Sequence, residues 1–94
     1  MDFIFEWNEN KAKENLRKHN VSFEEGTTIF RDPFIATMPD PDHSDIEQRF
    51  ISIGISINHR LLVVVHTERA NRTRLISCRK ATRVERRIYE ENEN

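Results

Sequence analysis

One cysteine, two glycines and three prolines in 94 residues leave little room for several common chemistries. Cys78 cannot close an intramolecular disulfide, and no Cys or His stands at metal-ligand spacing from it. A disulfide scaffold and a zinc module are therefore excluded, and the reducing cytoplasm is the expected compartment. With only Gly26 and Gly54 available, the chain has neither a Gly-rich phosphate loop nor a Ser nucleophile elbow. It also lacks a metal-ligand helix motif, so neither a metal nor a cofactor is expected. The longest apolar run, residues 61–65, is far too short to span a bilayer. The first residues lack a basic stretch followed by a long apolar one, so export and membrane insertion are not expected.

Charge is abundant and unevenly placed. The whole chain sums to −1, with hydrophobic residues at 36% and charged ones at 33%, which suits one small folded domain over residues 1–94 with a single core. Residues 60–87 hold nine Lys or Arg (Arg60, Arg69, Arg72, Arg74, Arg79, Lys80, Arg83, Arg86, Arg87) against Glu68 and Glu85, a local charge of +7. Acidic sequence flanks this block on both sides. A surface of one sign concentrates polyanions, so RNA is the first candidate ligand and this segment the place to seek function.

The pattern of apolar residues gives an α+β order. Phe3, Phe5 and Trp7 alternate as a short strand. Asn8 suits a helix N-cap and Asn20 a left-handed C-cap, which predicts a helix over residues 9–19. Ala12 and Leu16 are expected to face the core, with Lys11, Asn15 and His19 as a polar stripe beside them. Ser22 and Glu25 fit a capping box for a second, shorter helix that Asp32-Pro33 ends. Residues 34–38 read as a short strand. After a polar loop, residues 50–56, 61–67 and 73–79 read as three strands of an antiparallel meander, with residues 68–72 as a polar connection. Thr82 and Glu85 form a second capping box and open a terminal helix to about residue 90.

Several residues qualify for chemistry. His19 ends a helix beside Lys18, with Lys11 two turns earlier; a C-terminal helix cap is its structural alternative. Arg79 and Lys80 end a strand that leads at once into a capped helix, a place where a guanidinium fork and backbone N–H groups meet a phosphate. An ion pair of Arg79 with a carboxylate such as Glu68 is the competing reading. Arg69, Arg72, Arg74 and Arg83 complete the candidate RNA-binding set. RNA cleavage needs no metal, because the 2′-OH attacks its own phosphodiester once a base removes its proton, an acid protonates the leaving oxygen and cations stabilise the charge. Glu68 is the available carboxylate, placed at the start of a turn, and His19 and His66 are the available imidazoles. His66 follows Leu62 and Val64 at strand period and reads as a partly buried sheet residue, and Phe50 as core. The cluster Asp40, Asp42, His43 and Asp45 lacks the spacing of a calcium loop and reads as solvated.

Taken together, Trp7-Asn8-Glu9-Asn10-Lys11, Asn15 to His19, Val21 to Glu25, Ile76 to Thr82 and Glu85 to Tyr89 resemble the BrnT family of bacterial toxins over essentially the whole chain. The resemblance implies a compact RelE-like α+β fold, an endoribonuclease activity that stops translation, and neutralisation by a BrnA-type antitoxin that also supplies the DNA contact. It implies site roles for Lys11, His19, Arg79, Glu68 and Arg69. Two positions depart from the family pattern: Asn8 stands where Asp is usual, and Asn20 where Gly is usual. A catalytically weakened homologue, acting as an interaction partner or RNA-binding module, is the alternative reading.

Overall fold

The computed structural model describes residues 3–43 and 47–92. Asp45 of the acidic cluster and residues 93–94 of the tail lie outside the described residues. The elements follow the order β1 (Ile4–Glu6), α1 (Glu9–His19), α2 (Phe23–Thr27), a 3-10 turn (Thr28–Arg31), β2 (Ala36–Pro39), a second 3-10 turn (Pro41–His43), β3 (Arg49–Ile55), β4 (Leu61–Arg69), β5 (Arg72–Lys80) and α3 (Arg83–Asn92). The α+β class and the meander expected from the sequence are both present.

All five strands join one sheet in the order β1-β5-β4-β3-β2. Strands β2 to β5 pair antiparallel, whereas β1 lies parallel to β5, with Ile4 opposite Arg72 and Glu6 opposite Arg74. Such a pairing needs a long connection and leaves no local signal in the sequence. A bulge between Val65 and His66 sets Val65 opposite Ser77 but His66 opposite Leu75. Ile76 absorbs the extra position, so Thr73, Leu75 and Cys78 all point to the same side as Leu62, Val64, His66 and Glu68. That side carries α1 and α2 over a core of Val21, Phe23, Ile29, Leu62, Val64, Leu75 and Cys78. The opposite side carries α3, through Tyr89 packed with Ile53, Leu61 and Val63. Close approach of the helical layer to the sheet requires Gly26, where an added Cβ would lie 2.9 Å from the Cys78 sulfur.

Helix α1 has its expected limits. The Asn8 side chain accepts from the Lys11 N–H at 3.0 Å, and Asn20 adopts the left-handed conformation with φ 56°. Its buried face differs in part from expectation, since Ala12 packs against the core but Leu16 is 50% exposed while Asn15 is 6% exposed. The physical reason is the edge of β5. Strand β1 pairs only with residues 72–74, so Cys78, which lies opposite Val64 of β4 on one side, has no strand beside it on the β1 side. The Asn15 amide takes that place: it donates to the carbonyls of Cys78 at 2.7 Å and Val21 at 2.9 Å, and its oxygen accepts from the Cys78 N–H at 3.0 Å. Leaving those buried groups unmet costs about 1–3 kcal/mol each, more than burying Leu16 would return.

The two capping boxes also differ. At α3 both arms close, with Glu85 N–H on Thr82 Oγ1 at 3.2 Å and Thr82 N–H on the Glu85 carboxylate at 2.8 Å. At α2 Ser22 caps the Glu25 N–H, but the buried Glu25 carboxylate turns instead to Arg60 and to the Ser56 hydroxyl. The Arg60 guanidinium holds Glu25 well below the usual carboxylate range, at about 2, against the opposing effect of burial.

Candidate functional site

The β4–β5 hairpin closes with Ala70 in the left-handed region, φ 52°. Both strands therefore run further than expected, and Glu68 sits within β4 rather than at the start of a turn. This matters because strand period then aims Glu68 along the same side as His66, two residues earlier. Opposite them, Thr73 on β5 faces Glu68, and Phe50 on β3 faces His66.

These side chains form one connected chain of hydrogen bonds. Thr37 Oγ1 lies 2.7 Å from Ser52 Oγ, which lies 2.7 Å from His66 Nε2. His66 Nδ1 lies 2.7 Å from one Glu68 oxygen, and Thr73 Oγ1 donates to the other at 2.9 Å. A carboxylate only accepts, so Nδ1 carries the ring proton, Nε2 accepts from Ser52, and Ser52 accepts from Thr37. Burial pushes the His66 pKa down, more than the neighbouring Glu68 raises it, which keeps the imidazole neutral and the chain directional. The Ser-His-Glu sequence of contacts has the connectivity of a hydrolytic triad, but Ser52 is 0% exposed. No substrate reaches its oxygen; its contact fixes the tautomer of His66.

Glu68 is the outlet of this network, with its side chain 45% exposed where that of His66 is 4% exposed. It opens into a cleft of about 510 Å³ lined by Phe3, Ile4, Phe30, Thr37, Phe50, Ala70, Asn71 and Thr73 besides the two residues themselves. The walls are aromatic: Phe50 stacks on the His66 ring with centroids 5.9 Å apart, and Phe30 meets its edge at 5.1 Å. A carboxylate held by two donors, still free on its remaining lone pairs and set in an apolar cleft, is placed to take a proton from a bound hydroxyl.

Lys11, His19 and Arg79 lie elsewhere, so the four residues expected to carry catalysis are not brought to one place. Lys11 and His19 are exposed on α1 and border a shallow depression with Lys18, Ile76 and Ser77. Arg79 projects with Val63 to the α3 side, where both arms of its fork bind the Glu85 carboxylate at 2.7 Å. Its partner is therefore Glu85, not Glu68 and not an open phosphate site. This contact holds Glu85 down to about 2 and raises Arg79. Arg72 and Arg74 both face Glu6, at 3.7 and 3.0 Å, and Arg69 pairs with Glu47. Lys80 and Arg83 are exposed to solvent.

Residues 7–85 match the sequence model of a family described as the ribonuclease toxin, BrnT, of type II toxin-antitoxin systems. The chain belongs to the BrnT family. Its fold agrees with the 1.1 Å crystal structure of the Brucella abortus ribonuclease toxin, BrnT, at a TM-score of 0.63 and 20% identity, over 87% of this chain and 100% of that one. No curated protein matches the chain significantly. Within this BrnT chain, Ser52 and Thr73 are the candidates that the sequence did not single out, while His66 was weighed as an imidazole and read as the buried sheet residue it is. A usable signal existed: Phe50-x-Ser52 and His66-x-Glu68 each put a ring and a polar group on one face of adjacent strands.

Proposed function

We propose that this chain is a single-domain cytoplasmic toxin that cleaves RNA internally, without a metal ion, at the Glu68 cleft, and so inhibits translation. Membership of a ribonuclease-toxin family supplies the reaction class. The observation that carries the site is the Glu68 carboxylate, oriented by His66 and Thr73 and open to an aromatic cleft. Glu68 takes the proton of the 2′-OH, whose oxygen attacks the adjacent phosphorus and expels the 5′ oxygen, which takes a proton from solvent water, leaving a 2′,3′-cyclic phosphate and a 5′-OH. His66 does not touch RNA in this scheme; it positions the carboxylate from behind.

The cations needed for the phosphate flank the rim. Arg69 and Arg72 stand either side of the Ala70-Asn71 turn that lines the cleft, with side chains 62% and 59% exposed in their pairs with Glu47 and Glu6. Exposed pairs of this kind are worth about 0–1 kcal/mol, so a phosphate displaces the carboxylates at small cost. Lys11, Lys18, His19, Lys80 and Arg83 lie away from the cleft and take no part in cleavage in this reading. Arg79 is structural in this reading. A BrnA-type antitoxin neutralises the toxin and provides any contact with DNA. Asn8 does not impair the site, because its side chain acts as a helix cap.

The test is incubation of purified protein with RNA in EDTA, with mapping of new 5′ ends. Discrete internal cuts bearing 5′-OH are expected. Absence of cleavage, together with normal growth when the chain is expressed without an antitoxin, would reject the proposal.

A further inference from the structure

The lining of the Glu68 cleft is better matched to a ring than to a phosphate. None of its ten lining residues is Lys or Arg, and its one carboxylate repels anions. Three of the ten are Phe, and a fourth is the imidazole of His66. Phe3 is 53% exposed at the mouth, 6.2 Å from the Phe30 ring, and Phe30 and Phe50 are only partly buried. Exposed aromatic rings around a pocket this size offer flat apolar faces, and the cleft volume falls within the usual range for small-molecule sites of roughly 300–1,000 Å³. Hydrogen-bonding capacity for a base edge is limited. Thr73 already donates to Glu68 and Thr37 lies against Ser52, which leaves the Asn71 amide at the rim as a side-chain donor beside the exposed Glu68 carboxylate.

We infer that the cleft is a nucleobase subsite: one unpaired base, flipped out of any stack, lies against Phe50 and Phe3 beside Glu68, while its phosphates stay outside at Arg69 and Arg72. The inference rests on the reading of this cleft as the RNA site and adds two properties to it. The enzyme selects single-stranded RNA, since a base within a duplex cannot enter. Its preference among the four bases is shallow, since every base has a π-face and stacking on the rings carries the binding.

Binding separates this inference from catalysis. The parent protein for the measurement is the Glu68→Gln variant, which retains the cleft without turning substrate over, and the probes are a short fluorescein-labelled single-stranded RNA, its duplex, and the same strand made wholly abasic. Phe50→Leu and Phe3→Ser are added to that parent singly. Phe50 packs on His66, so its variant is accepted only with an unchanged melting temperature; exposed Phe3 carries little folding risk and decides the matter otherwise. Weaker single-strand binding is expected for each variant, by roughly 5- to 150-fold, the worth of one stacked base. The duplex and the abasic strand are expected to bind the parent and both variants equally weakly. Equal single-strand affinity in a folded Phe variant and the parent, or duplex binding as tight as single-strand binding, would overturn the inference. If the wild-type chain cuts no RNA yet these differences appear, the catalytic reading falls and the base subsite stands. If it cuts RNA while folded Phe variants bind as the parent does, the subsite alone falls.

Discussion

The two ends of β5 each hold a carboxylate with a basic partner, and they differ in what remains available. At the Lys80 end, Arg79 and Glu85 bind each other through both arms, and Glu85 also accepts the Thr82 N–H of its helix start. The pair joins the sheet to α3, with the Glu85 carboxylate bound on both oxygens. At the Arg72 end, Glu68 accepts from a buried neutral ring and a hydroxyl, yet its side chain remains 45% exposed to a cleft. The contrast teaches that two carboxylates within one basic stretch of sequence can differ wholly in what they leave open to solvent. What distinguishes a site is a polar group held firmly from behind and left open in front.

The strongest way to break this comparison is at the open end. Glu68→Gln preserves the shape of the side chain and removes its basicity, so the RNA cleavage rate is expected to drop by about 10²- to 10⁴-fold in single-turnover assays, with the circular dichroism spectrum unchanged. Acid separates the two ends by stability. The His66 pKa is depressed in the fold, so its contribution is complete above about pH 6.5 and is lost as pH falls below that value. The depressed carboxylates Glu85 and Glu25, both near 2, contribute above about pH 4.5 and lose that contribution as pH falls toward 2. Chemical denaturation across pH is therefore expected to show two phases, the lower one worth on the order of 3 kcal/mol per carboxylate. His66→Gln should remove the upper phase alone.

At the closed end, Arg79→Ala is expected to lower stability by about 1–3 kcal/mol, seen as a shift in the denaturation midpoint, because Glu85 keeps only its cap. Cleavage per folded molecule should be unchanged. The smallest effect belongs to Arg69→Ala. Stability should hold within about 0.5 kcal/mol, while the slope of log K against log salt for single-stranded RNA should decrease in magnitude by about 0.7, the loss of one phosphate contact.

Much of the fold was legible because its signals are local. Asn8 and Asn20 bracket α1 at the expected residues, Thr82 and Glu85 start α3, and strand-period apolar residues mark β3, β4 and β5. The parallel seat of β1 was not legible, since it depends on a crossover through the helices. Its shortness in turn decides that Asn15 rather than Leu16 is buried, an outcome no helical pattern encodes. The site was half legible. Glu68 was identified as the carboxylate, but a bulge at Ile76 and two extra residues of β4 set its surroundings. His66 was read as a partly buried sheet residue, and it is buried; the positioning role proposed for it follows from what lies two residues away on the same face. Arg79 was marked by its place before a capped helix, and the capping glutamate itself fills its fork.

The central claim is that the open end of the sheet cuts RNA and the closed end only holds the fold. Single-turnover cleavage of one single-stranded RNA in EDTA by wild-type, Glu68→Gln and Arg79→Ala proteins, each checked for folding, tests it most directly. The account predicts wild-type rates for folded Arg79→Ala and loss of cleavage in Glu68→Gln. Wild-type cleavage by Glu68→Gln, with loss of cleavage in a folded Arg79→Ala protein, would contradict it.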